Sequence, residues 1–153
     1  MRNEPPAKPR RPFGSPEEDT FIAVQRTADA LARNVEKVLR SADISPTQYN
    51  VLRILRGAPE GLQCSEIGKR MTTRDPDITR LLDRLEKRAL IARHRDTKDR
   101  RMVLTCITAA GLKCLSDLDG PVNDVHKAQL GHLGNERLKS LKELLETARM
   151  NLA

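Results

Sequence analysis

The chain has 153 residues, of which 38% are apolar and nine are proline, enough for one domain with its own core and a short tail but too little for two full domains. No apolar run approaches the roughly 20 residues that cross a bilayer, and the Pro/Arg-rich start lacks the apolar segment of a signal peptide, so a cytoplasmic protein with no membrane partner is expected. The net charge of +7 is concentrated in residues 69–101, where twelve Lys and Arg face six Asp and Glu; a polyanion is the expected partner, and with only Phe13, Phe21 and Tyr49 for stacking, double-stranded DNA is favoured over single strands or RNA.

Residues 1–15 hold four of the nine prolines and read as a flexible basic tail, able to touch phosphate or simply to stay solvated. From Ser15 or Pro16 a helix is expected to about Arg40. Glu17, Glu18 and Asp19 sit in its first turn, where the helix dipole favours acids, and Phe21, Val24, Ala28, Leu31, Val35 and Val38 recur at spacings of three and four. A second helix opens at Ser45-Pro46-Thr47-Gln48. This run has a capping residue, proline at the first helical position, glutamine three residues after the cap, and Ile44 and Tyr49 as a hydrophobic staple. It stops before Gly57.

A third, short helix is expected over about Cys64 to Met71, and a fourth opening at Asp75-Pro76, with Ile78, Leu81, Leu82 and Leu85 on one face. Two short helices joined by a tight turn compose a helix-turn-helix. The fourth leaves Asp77, Thr79, Arg80, Asp83 and Arg84 off its apolar stripe, a polar face of the kind that enters a major groove. Two extended segments follow, Leu90 to Arg95 and Met102 to Ile107, around the charged tip Asp96-Thr97-Lys98-Asp99-Arg100-Arg101. A basic hairpin directly after a reading helix is a wing. Leucine-bearing helices are then expected over residues 108–128 and 135–152, with Gly120-Pro121 kinking or interrupting the first.

The first helix and the last two each carry an apolar stripe, and a helix of about 25 residues extends some 35 Å, further than a small winged core covers. Packing against a second copy would bury the stripes and set two reading helices on a palindromic site. The expected fold class is therefore mainly α with a small β wing: a single domain over residues 16–153, with a winged helix-turn-helix at 44–107 and dimerisation helices at 16–41 and 108–153.

The run from Ile67 to Gly111 resembles the MarR family in order, residue type and spacing. It contains Ile78-Thr79-Arg80-Leu81-Leu82-Asp83-Arg84-Leu85-Glu86-Lys87-Arg88, then Leu90-Ile91-Ala92-Arg93, Asp99-Arg100-Arg101 and Ile107-Thr108-Ala109-Ala110-Gly111. Flanking helices extend the likeness over roughly residues 17–150. The resemblance implies a transcriptional regulator in which the fourth helix reads the major groove, a wing arginine approaches the minor groove, and Asp83 orients that arginine, Arg101, by a salt bridge. It also implies a repressor released by a small lipophilic or aromatic effector. The chain departs from the family pattern at Arg74-Asp75-Pro76-Asp77, where Ser or Thr is common, and at Ala89, where glycine commonly follows the helix.

The expected DNA-contacting residues are Arg74, Asp77, Thr79, Arg80, Arg84, Arg95, Lys98, Arg100 and Arg101. Arg80 suits bidentate contact with guanine. For Asp77 three roles stand: accepting from cytosine, repelling phosphate, or stabilising the helix N-terminus. The alternative function is a basic dimeric architectural protein of low sequence specificity. Cys64, Cys106 and Cys114 are too few for a disulfide framework. The spacing of Cys106 and Cys114, with His126 and His132, is not that of a zinc knuckle. No phosphate loop, HExxH or nucleophile motif is present, so neither an enzyme, a cofactor nor a metal site is expected.

Overall fold

In the computed structural model, which describes residues 14–152, six α-helices and one hairpin follow in the order α1 (Pro16–Arg40), α2 (Pro46–Arg56), α3 (Cys64–Arg70), α4 (Ile78–Lys87), β1 (Ile91–Arg95), β2 (Val103–Ile107), α5 (Ala109–Leu130) and α6 (Gly134–Met150). A 3₁₀ turn, Gly131–Leu133, joins the last two. The basic tail expected before residue 16 lies almost wholly outside the described residues. Residues up to Arg33 and residues from Asn34 onward form separate units. In the first, Ser15 caps α1, its hydroxyl accepting from the Glu18 N–H at 3.2 Å.

In the second unit the core is a layer of leucine and isoleucine. Leu52 and Leu55 of α2, Ile67 of α3, Leu85 of α4, Ile91 of β1 and Leu115 of α5 are all buried, each worth roughly 1.5–3 kcal/mol over leaving it in water. α2 begins as its sequence requires. The Ser45 hydroxyl accepts from the Gln48 N–H at 3.1 Å, the Gln48 side chain accepts from the Ser45 N–H at 3.1 Å, and Pro46 opens the helix. Ile44 and Tyr49, the expected staple, are both buried.

Two starts and breaks differ from expectation. α4 begins at Ile78, because Asp77 rather than Asp75 is the cap: the Asp77 carboxylate accepts from the Arg80 N–H at 3.2 Å, while Asp75 accepts from the Asp77 N–H at 2.8 Å in a turn of its own. α5 runs through Gly120-Pro121 without interruption. Leu118 and Val122, on either side of that pair, are both buried, and α5 packs on α2. That packing outweighs the one backbone hydrogen bond that proline removes.

The strands pair antiparallel with Ile91 opposite Ile107 and Arg95 opposite Val103, and Leu62 adds a single bridge to Thr105. α4 is tied to this hairpin by its own C-terminus, where Leu90 N–H reaches Leu85 C=O at 3.1 Å and Ala89 N–H reaches Glu86 C=O at 2.8 Å. These two bonds define a Schellman turn, and Ala89 occupies its left-handed position at φ 57°. Glycine is thus replaced without loss of the turn geometry. Thr108 caps α5 through Gly111 N–H at 3.1 Å and donates to the Ala89 carbonyl at 2.6 Å. A Cβ on Gly111 would collide with the Leu90 carbonyl oxygen, so only glycine lets α5 start this close to the turn.

An L-residue such as alanine in the left-handed region costs about 1–2 kcal/mol, and glycine there loses roughly 0.5–1 kcal/mol to unfolded-chain entropy. Ala89→Gly is therefore expected to stabilise the chain by about 0.5–1 kcal/mol in urea unfolding; a loss of stability would show that the turn is not left-handed.

Candidate nucleic-acid interface

The apolar stripe of α4 fixes what its other face presents. Leu81, Leu82 and Leu85 are buried and Ile78 packs partly against the same core, so Thr79, Arg80, Arg84 and Lys87 point outward and are exposed. Asp77, also exposed, spends one carboxylate oxygen on the helix N-terminus, which adds a favourable charge at the positive end of the dipole. Arg74 is exposed in the α3–α4 turn, a segment held to α2 by the Thr72 N–H donating to the Asn50 side chain at 2.8 Å.

In the hairpin tip the acids are consumed locally. Asp96 accepts from the Lys98 N–H at 3.3 Å and Asp99 from the Arg101 N–H at 3.0 Å, while Asp96 N–H closes the turn on the Met102 carbonyl at 2.9 Å. The tip therefore offers Lys98, Arg100 and Arg101 as exposed cations. Arg95 is engaged inside the hairpin, donating to the Arg100 carbonyl at 3.0 Å.

What joins the helix to the hairpin is Arg93, a residue absent from the sequence-based set. Its Nη2 lies 2.5 Å from Asp83 Oδ1 and 2.6 Å from Glu86 Oε2, its Nε donates to Glu86 Oε2 at 3.0 Å, and its backbone N–H donates to Glu86 Oε1 at 3.2 Å. The Arg93 side chain is 26% exposed, and its Nε and Nη2 converge on one Glu86 oxygen while Nη2 also reaches Asp83, so one guanidinium bridges two carboxylates by charge-assisted hydrogen bonds. This corrects the expectation that Asp83 orients Arg101. Arg93 lies in the middle of β1, which packs on α4, whereas Arg101 lies at the hairpin tip; the carboxylate takes the nearer guanidinium. One signal for it was in the sequence: Arg93 shares the strand face of buried Ile91, and Asp83 and Glu86 stand three apart on the helix.

The hydrogen bonds from Arg93 hold the Glu86 carboxyl below its ordinary range, and the Glu86 and Asp83 carboxylates in turn push the Arg93 guanidinium up. Away from this clamp, burial pushes the thiols of Cys106 and Cys114 up, against thiolate chemistry. Among the described residues no group of His, Cys, Asp and Glu is arranged to hold a metal.

Because the Glu86 carboxyl is lowered on folding, its contribution is present above the ordinary glutamate value, about pH 4.3, and is lost as the pH falls through the lowered one. In a series of thermal melts from neutral to acid pH, Glu86→Gln should flatten the acid limb. In the same clamp, Arg93→Met should speed hydrogen exchange of the strand amides at residues 91–95. Unchanged exchange in the methionine variant would show that the hairpin is held by its backbone alone.

The sequence and the fold match known proteins. The chain matches the MarR family over residues 44–103. It is similar to the HTH-type transcriptional regulator FarR of Neisseria gonorrhoeae, 29% identical over 125 residues that cover 81% of this chain and 84% of that protein. A MarR transcription factor from Planctomyces limnophilus is 39% identical with a TM-score of 0.67, spanning 88% of this chain and 98% of that one. A mutant MarR from E. coli complexed with operator DNA shares the fold at a TM-score of 0.78 and 22% identity, over 88% of this chain and 99% of that one. The chain belongs to the MarR family of winged helix-turn-helix transcriptional regulators, DNA-binding proteins rather than enzymes.

Proposed function

We propose that this chain is a sequence-specific repressor that binds a palindromic operator as a homodimer and is released by a small-molecule effector. The observation that carries the reading is the joint exposure of Arg80 and Arg84 on α4 with Lys98, Arg100 and Arg101 on a hairpin that Arg93 clamps to the same helix. In this reading Thr79, Arg80 and Arg84 reach base edges, and Asp77 fixes the helix start or accepts from a base. Arg74, Arg95 and the three tip cations lie along phosphates or in the minor groove. Residues 44–107 are the reading module.

Residues 16–41 and 108–153 supply the dimer. Two observations support this: no residue of α6 is buried, and its Leu144 is 69% exposed, as Phe21 of α1 is 60% exposed. A leucine stripe left in water forfeits roughly 25 cal/mol for each Å² it could bury, and a second copy with the same stripe satisfies it under two-fold symmetry. Half-sites are then expected about 10 base pairs apart, or a multiple of that. For the effector, a groove of about 540 Å³ is lined by Ile44 and Pro46 with the cations Arg40, Arg84, Lys87 and Arg88 and the acids Glu36 and Asp43; Glu36 is paired with Arg40, and the remaining excess of cations beside an apolar floor suits a lipophilic or aromatic acid.

Two variants separate reading from anchoring. Arg80→Ala should relax base preference at one position per half-site, at a cost of about 1–3 kcal/mol for each bidentate arginine–guanine pair it removes. Arg100→Ala should weaken all duplexes evenly and make the logarithmic salt slope shallower by about one for each phosphate that Arg100 neutralises. Titrating both against the duplex enriched by the unmodified chain and a scrambled one, over several salt concentrations, decides it. If Arg80→Ala weakens both duplexes equally, α4 is not the reading element and the architectural alternative takes its place.

A further inference from the structure

α1 ends in the same kind of turn as α4: Ile44 N–H donates to Leu39 C=O at 3.1 Å, Asp43 N–H to Arg40 C=O at 3.0 Å, and Asp43 is left-handed at φ 52°. Between the two turns lies Arg88, the residue that caps α4. Its Nη1 donates to the Asp43 carbonyl and its Nη2 to the Ala42 carbonyl, the latter at 3.3 Å. Those carbonyls lie in the turn that follows the negative end of α1, where a cation is favoured twice, by the hydrogen bonds and by the dipole. On its other side the same α4 turn is fastened to the start of α5 through Thr108. The reading helix is thus anchored at its C-terminal end to the end of α1 and the start of α5.

We infer that Arg88 is a positioning residue that sets the distance between the two half-sites, by fastening the end of α4 to the end of α1. The inference rests on the reading of α1 and α5 as dimer helices. A planar guanidinium that answers two carbonyls at once restrains both rotation and sliding, which a single ammonium cannot do. The lever is long. α4 has ten residues, about 15 Å at 1.5 Å per residue, so a small rotation at Arg88 swings the Arg80 end across a base step while the side chains on α4 keep their own base preferences.

The test uses the full chain with Arg88→Met and Arg88→Lys. Each is titrated by fluorescence anisotropy against the duplex enriched from a random library by the unmodified chain, the same duplex with one base pair inserted at its dyad, and a scrambled duplex, at several salt concentrations, with melting temperatures in parallel. The unmodified chain should lose affinity on insertion. Arg88→Met should shrink that loss by about threefold to tenfold with the salt slope unchanged, and Arg88→Lys should fall between the two. An unaltered insertion penalty overturns the inference. A shallower salt slope on every duplex would then make Arg88 a phosphate contact, and a lowered melting temperature alone would make it only a structural one. Should Arg88→Met not fold, an insertion penalty in Arg88→Lys equal to that of the unmodified chain overturns it equally. If the unmodified chain enriches no duplex, or tolerates the insertion, the dimer reading itself fails and the spacing role goes with it.

Discussion

The three-way contact of Arg93 with Asp83 and Glu86 is the interaction on which the proposed reading surface depends. Two short strands are marginal alone in water, and this hairpin carries Arg95, Lys98, Arg100 and Arg101 as exposed cations that repel one another. Fixing its first strand to α4 through one guanidinium that bridges two carboxylates joins two basic elements into one surface. The same contact neutralises the two acids on the inner side of α4, so the field that α4 presents outward comes from Arg80, Arg84 and Lys87.

The core acts on the same surface from below. Leu81, Leu82 and Leu85 hold α4 in one rotation, since turning the helix by one residue would bury arginine and expose leucine, a cost of several kcal/mol. At its two ends α4 is governed by different chemistry. Asp77 satisfies one N-terminal N–H, that of Arg80, at the exposed end, whereas the C-terminal turn is built into the body by Arg88, Thr108 and the close approach that Gly111 permits. The exposed basic end and the anchored end are in this way divided along a helix of about three turns.

Much of this was legible in the sequence because it depends on period and on local capping. The apolar spacing located all six helices, Ser45-Pro46-Thr47-Gln48 gave the start of α2, and the run Met102 to Ile107 gave the second strand. Local rules failed where two residues competed for one role: Asp75-Pro76 has the form of a cap and first turn, yet Asp77 is the cap because Asp75 is used in a turn of its own. Of the kink or interruption expected at Gly120-Pro121, the interruption does not occur, and packing of Leu118 and Val122 accompanies the continuous helix. Arg93 and Arg88 were not found because their partners lie on other elements, seven to ten residues away in one case and more than forty in the other. The family likeness supplied a partner for Asp83 but the wrong one; the register of β1 on α4 chooses Arg93.

The central claim is that α4 and its clamped hairpin read duplex DNA as a two-fold pair. Hydroxyl-radical footprinting of the full chain on the duplex it enriches tests this most directly. Two protected patches on one side of the duplex, related by a dyad and separated by about one helical turn, are the predicted result. Protection that is continuous, without a dyad, and the same on scrambled DNA would contradict the account.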